Sequence, residues 1–493
     1  MSDQLGMGGA RSLGDLEGSK LSAGQRKLLL ISVSGVFLDG YDISIISLAL
    51  LQLKQPYHLN SYETGFLASA ILLGNFVGAI VMGRLADRVG RRSMFLIDVI
   101  FFIVFAILQA FAVNYIQLSI IRFLLGVGIG GDYALASPII AEAVPAKRRG
   151  RALTINWGLA WLSGEIISFA VGLLCLQFAG PNAWRWMLAS GAIPAIAVLL
   201  GRRSMPESAR WLYSEGRDDE ARAAIDRLAG DLPAAGGGTG GATPHVPVRA
   251  VAGQDRSLGM AATISGEGSS TVPKAAPRSR GLSLRGLSAE KEVWGTFKRN
   301  TWFGLLNYVF EGAPFYALSV FLPTILKAAG FSKTDTGIAV GNVLLQLTGL
   351  VGILLIYLMI DRQGRKICNY WGFGGVTLAL IVYDIVFPPH IWFLLLLFAV
   401  IEAAVWLGPA STDNLYLGEL WPTRIRTTGA GYCAGAGRLS AIAGTLLLPI
   451  MLTHLGIVTA LVPFILLSAL GVLNTKLLGV ETKGKTLEEL WGR

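Results

Sequence analysis

The chain has 493 residues, of which 53% are hydrophobic and 15% charged, and its mean hydropathy is +0.56. Soluble globular domains carry roughly 25% charged residues, so that class is excluded and a polytopic membrane protein remains. The formal net charge of +10 does not indicate a nucleic-acid binder, because the basic residues gather in alternate loops between apolar runs.

In chain order, residues 1–25 read as a polar, Gly-rich tail with no cleavable signal. Six apolar runs follow near 27–51, 64–86, 93–113, 116–143, 151–178 and 184–203, each close to the roughly 20 residues that cross a bilayer as helix. They define a first bundle over 26–203. Residues 204–299 form a central loop: mixed-charge helical spacing first, then a Gly, Ser, Ala and Pro-rich linker from Asp231 to Lys291. A second bundle over 300–479 has runs near 301–327, 336–360, 367–387, 391–419, 427–453 and 456–479, and a tail of 480–493 closes the chain. The fold expected is all-α: twelve transmembrane helices in two pseudo-symmetric six-helix bundles. Basic loops alternate with nearly bare ones, so the positive-inside rule puts both termini and the central loop in the cytoplasm and the protein in the plasma or inner membrane. Cys175, Cys368 and Cys433 lie in or beside apolar runs, so neither a disulfide framework nor a metal cluster is expected. No cofactor is called for, nucleic acid is not a partner, and a monomer is the expectation.

The two halves repeat a charged phrase. Gly83 to Arg92 reads GRLADRVGRR and Asp361 to Lys366 reads DRQGRK, with Asp87, Gly90 and Arg91 matching Asp361, Gly364 and Arg365 at a constant offset. A second pair sets Glu142, Pro145 and Arg149 against Glu419, Pro422 and Arg426. Duplicated units with charged loops on one face are the build of alternating-access transporters. Asp87 is expected near a helix N-terminus. Arg88, Arg91 and Arg92 are expected to reach acids such as Glu142, and these clamps would hold an inner gate.

Ionisable residues inside spans are costly and so mark sites. Asp39 and Asp42 share a face of the first span three residues apart, and Arg122 at the start of the fourth is their expected partner. The alternative is a permanent ion pair locking two helices. Asp132 follows Gly126, Gly128, Gly130 and Gly131, glycines that let a neighbouring helix approach closely, and Tyr133 offers a hydroxyl beside it. Glu165, Trp302, Asn307, Tyr308, Glu311, Asp413 and Arg438 complete the candidate solute site, with Glu402 also intramembrane. Trp302 has an alternative reading as an interface-belt residue. Arg438 must face an anionic solute or an internal acid such as Asp413 or Glu402. Asp98 and Asp384 lie nearer helix ends and read as structural.

At these residues the chain resembles the major facilitator superfamily over nearly its whole length outside tail and linker. GRLADRVGRR is similar to the superfamily's loop between the second and third helices. GYDISIIS, the Arg122 start of RFLLGVGIGG, PESARWL and ETKGKTLEEL resemble sugar porters. DGYD, GGDY and the run from Gly408 resemble phosphate:proton symporters, and aromatic-acid:proton symporters share DGYD. The resemblance implies that Asp42 and Arg122 form a proton-coupling pair. It also implies that Asp132 and an Asp of DGYD take part in proton transfer, that Tyr133 binds solute, and that Arg438 stands where phosphate symporters have a Lys. It departs from sugar porters in lacking QQxxGIN in the seventh helix and a Gln in the fifth. It departs from phosphate symporters in having Leu306 and Asn307 after Trp302. The expectation is a transporter and not an enzyme, coupling protons to a small polar solute, a sugar, polyol or related compound. The alternatives are symport of phosphate or an organic or aromatic acid, a non-transporting nutrient sensor, and a proton-independent facilitator.

Overall fold

The computed structural model describes residues 22–229 and 290–483, apart from 55, 90, 144–145, 206, 208–211, 213–215, 388–389 and 423–424. The side chains of 83–84, 86–91, 132–156, 228–229 and 427 also lie outside the described set. All regular structure among the described residues is helical. The first half holds α1 (Ala23–Leu53), α2 (Ser61–Val89), α3 (Arg91–Gln109), α4 (Tyr115–Ala143), α5 (Ala146–Phe178), α6 (Ala183–Ser190) and α7 (Ala192–Arg202). A short amphipathic helix, α8 (Asp218–Ala229), follows. The second half holds α9 (Lys298–Ala328), α10 (Asp335–Met359), α11 (Arg365–Val386), α12 (Ile391–Leu407), α13 (Pro409–Glu419) and α14 (Arg426–Leu477).

Helices begin where polar residues cap orphan backbone N–H groups. Ser22 and Gln25 form a reciprocal capping box before α1, Asn60 and Glu63 form another before α2, and Thr334 Oγ1 accepts from Gly337 N before α10. Four of the expected runs differ from expectation, two by breaking and two by merging. The sixth span breaks between α6 and α7, because Pro194 has no N–H to donate to the Ser190 carbonyl. The tenth breaks between α12 and α13, where Gly408 packs on Gly372 so closely that a side chain on either would collide, and Pro409 follows. The eleventh and twelfth merge into α14 and are divided only at Gly456, whose φ of 76° reverses the chain. Counting those pieces gives twelve spans.

Packing repeats across the duplication. In the first half α1 lies on α5 and α2 on α4; in the second α9 lies on α14 and α10 on α12. The halves meet through the exchange-related pairs α2 with α14 and α5 with α10, as a pseudo-two-fold axis requires. The glycine run of α4 does what its spacing suggests. Any side chain at Gly126 or Gly130 would strike the α2 carbonyls of Ile71 and Asn75, while Gly128 faces α3 and Gly131 sits between Met82 of α2 and Asp98 of α3. Large apolar side chains such as Leu30, Phe178, Ile193 and Leu378 cover the outside of the bundle, which is the surface of a protein solvated by lipid tails.

Candidate functional site

A cavity of about 600 Å³, counting its mouth, lies between the halves. The first half contributes Trp157 and Trp161 of α5. The second contributes Tyr308, Glu311, Gly312, Phe315 and Tyr316 of α9, Trp406 of α12, Asp413, Asn414 and Leu417 of α13, and Gly437 and Arg438 of α14. The α9 residues fall at i, i+3, i+4, i+7 and i+8, one face of a helix. Aromatic rings interlock here: Trp161 stands 6.0 Å from Tyr316 edge to face and 6.0 Å from Phe315 at a tilt, and Phe315 meets Tyr316 at 5.1 Å and Trp406 at 5.9 Å, both edge to face. This cluster crosses the junction of the halves.

Arg438 donates from Nη1 to the Tyr316 hydroxyl and sits 5.1 Å over its ring, and its charge also acts on Glu311. Its bonded partner is thus a tyrosine that the sequence reading does not single out. Glu402, an alternative partner, accepts from the Trp406 indole at 2.9 Å. Asp413 accepts at Oδ1 from Asn307 Nδ2, and its Oδ2 has no hydrogen-bond partner among the described residues. Asn307 therefore stands behind the cavity wall and acts on it through Asp413. Glu165 is buried in α5, accepting from Ser44 Oγ at 3.2 Å. Trp302 does not join the group: it is 47% exposed and meets Trp294 edge to face, the position of an interface residue.

The carboxylate of Asp42 lies apart from this lining. Its Oδ2 is 3.4 Å from Arg122 Nη2, with both side chains 0% exposed, and Gln109 Oε1 accepts from Arg122 Nη1 at 2.9 Å. The contact is an ion pair without tight hydrogen-bond geometry, so it is held by charge and burial. Asp39 is buried on the same helix. The side chains of Asp132 and Tyr133 lie outside the described residues. Asp98 pairs with Arg202 at 3.0 Å, which agrees with a structural role.

At the end of the bundle carrying the repeated charged phrase, Arg365 reaches Glu419 at 3.4 Å and Asp361 at 3.8 Å, and Thr482 donates to Glu419. Gly364 precedes α11 with a φ of 101°, and a side chain there would strike the Glu481 carboxylate. That carboxylate accepts from the backbone N–H groups of Arg365 and Lys366, each at 3.1 Å, an acid on a helix N-terminus. In the first half Glu207 accepts from Arg92 N at 3.1 and 3.2 Å, while Arg92 Nη2 donates to the Arg203 carbonyl. Arg426 instead donates to the Trp421 carbonyl at 3.3 Å. Gly90 and the side-chain contacts expected of Gly83, Asp87, Arg88, Arg91, Glu142 and Arg149 lie outside the described residues.

The family described as "Sugar (and other) transporter" matches residues 27–236 and 288–491. The chain is 31% identical over 481 residues to the putative metabolite transport protein YaaU of Escherichia coli (strain K12), covering 97% of each. It is 29% identical to a repressible high-affinity phosphate permease of Neurospora crassa, covering 94% of this chain and 86% of the relative. Among solved structures, the fold is similar to that of the proton:xylose symporter XylE, with a TM-score of 0.73, 20% identity, and 96% and 99% of the two chains covered.

Proposed function

The chain belongs to the family of sugar and other transporters, and on that footing we propose that it moves a small polar organic solute together with protons, the two halves rocking about the cavity between them. One observation carries this reading: two charged sites are kept separate. A fully buried ion pair, Asp42 with Arg122, belongs to the first half, whereas the cavity takes its ionisable groups, Glu311, Asp413 and Arg438, from the second. Asp42 is the proton carrier in this reading, assisted by Asp39 and Asp132. Solute sits between the halves, so binding and proton loading meet only when the halves move. The clamps around Gly364 and Arg92 close the end that faces the cytoplasm.

Aromatic faces beside carboxylate acceptors suit a hydroxylated ring, a sugar or polyol, which stacks on one side and donates hydrogen bonds on the other. A second reading, phosphate or an organic acid, draws on Arg438 in the cavity and on the phosphate permease among the relatives. In proteoliposomes with an imposed pH gradient, D-xylose, myo-inositol, phosphate and nicotinate separate the classes. Asp42→Asn is expected to abolish gradient-driven accumulation of whichever solute is taken up, while exchange across the membrane persists. Full accumulation by that variant removes Asp42 from coupling, and wild-type flux indifferent to the gradient makes the protein a facilitator.

A further inference from the structure

Behind the cavity wall, four neutral side chains from four helices form a hydrogen-bond network that ends on Asp413. Asn369 of α11 is its hub. Its Nδ2 donates to Asn307 Oδ1 at 2.8 Å and to Thr475 Oγ1 at 2.9 Å, and its Oδ1 accepts from Thr412 Oγ1 at 3.0 Å. Asn307, Asn369, Thr412 and Thr475 are all at most 1% exposed.

The network has a direction. Thr475 spends its hydroxyl proton on the Gly471 carbonyl at 2.8 Å, so towards Asn369 it acts only as acceptor. That fixes the Asn369 amide with its NH2 towards Thr475 and Asn307. Asn307 must then meet Asn369 with its oxygen, which turns its own NH2 onto Asp413 Oδ1. A carboxyl oxygen facing an amide donor accepts and carries no proton of its own. The remaining oxygen, Oδ2, is the one left without a partner, in a residue that lines the cavity beside Tyr308 and Glu311.

We propose that Asn369 is a positioning residue for the solute site: through Asn307 it ties one oxygen of Asp413 and reserves the other for a hydroxyl or N–H donor of the bound solute. A buried amide pair serving only helix packing would have no need of a fixed polarity ending on a cavity carboxylate. The inference rests on reading this cavity as the solute site, but its test does not require transport, so the two fail separately.

The test is carboxyl labelling with dicyclohexylcarbodiimide, read by mass spectrometry at Asp413 and, as internal reference, at Asp42 in the purified full-length protein. Asn369→Leu frees the Asn307 amide to rotate and both oxygens of Asp413 to meet the reagent. Labelling at Asp413 is expected to rise about tenfold, the equivalent of one charge-assisted hydrogen bond, with Asp42 unchanged. Asn307→Leu should give the same rise, and the double variant no more than Asn307→Leu alone. Thr475→Val removes the acceptor that fixes the amide, keeps the shape, and carries the same expectation should Asn369→Leu not fold. Unchanged labelling at Asp413, a parallel rise at Asp42, or additive effects in the double variant would each overturn the proposal.

Discussion

Two equivalent joints, one in each half, differ in chemistry. Below the clamp of the first half, Arg202 lies 4.4 Å over the Phe95 ring, donates to the Phe95 carbonyl at 2.9 Å and pairs with Asp98. The repeat offset carries Phe95 to Asn369 and Arg202 to Lys476. In the second half the lysine is exposed and the interior is filled by amides and hydroxyls. A buried ion pair resists rearrangement, since losing either partner strands a charge. A chain of amides and hydroxyls leaves no charge stranded, and here its donors and acceptors are matched in a single direction. The ionic joint does not line the cavity, whereas the neutral one ends on Asp413, which does. The half that supplies the cavity's ionisable groups is thus the one whose joint is held by neutral hydrogen bonds of one fixed direction, whereas the other half is held by a buried ion pair.

This contrast has measurable consequences. Arg202→Met should cost about 3 to 5 kcal/mol by stranding Asp98, seen as a large loss of thermal stability in detergent. A loss below about 1 kcal/mol, the range of solvated pairs, would erase the distinction between the joints. Arg438→Gln should weaken binding of an anionic solute more than about tenfold, since a bond to a charged group is worth roughly 1.5 to 3 kcal/mol. With a neutral solute it should leave affinity nearly unchanged and alter the pH profile by releasing Glu311. Unchanged affinity and pH profile together would make Arg438 structural. The smallest effect should be shared: Glu207→Gln and Glu481→Gln each remove an acid from a helix N-terminus, for about 0.3 to 1 kcal/mol. Equal losses confirm that the two caps are one device used twice, and a loss confined to one half breaks the symmetry.

The spans and their duplication are legible in the sequence because membrane helices must be long and apolar, and loop charge alternates. Asp42 with Arg122 and Arg365 with Glu419 are legible too, since a buried charge demands a partner and few are on offer. Breaks within spans are harder to see. Gly408 interrupts the tenth because it meets Gly372, a contact set by the packing of α11 on α12 and α13. Tyr316 as the partner of Arg438 escapes for a similar reason: the helical face from Tyr308 to Tyr316 follows from its spacing, but which cation it meets depends on the seating of α9 on α14. Gln109 and Asn369 are uncharged and carry no cost that would draw the eye. Glu207 and Glu481 do carry a signal, because they keep the same offset as Arg91 and Arg365, so the repeated phrase extends beyond its own loop.

Those two acids also set an order of assembly. Each caps a helix made far earlier in the chain: Glu207 serves α3, which begins at Arg91, and Glu481 serves α11, which begins at Arg365. A ribosome delivers residues from the N-terminus onward, so the third helix of each half waits for its cap until all six spans of that half have been synthesised. Gly364, with no room for a side chain beside Glu481, keeps the seat vacant for this late arrival. Each half thus ends on its own completion mark, and a nascent chain halted before residue 481 would contain every span yet leave α11 without its cap.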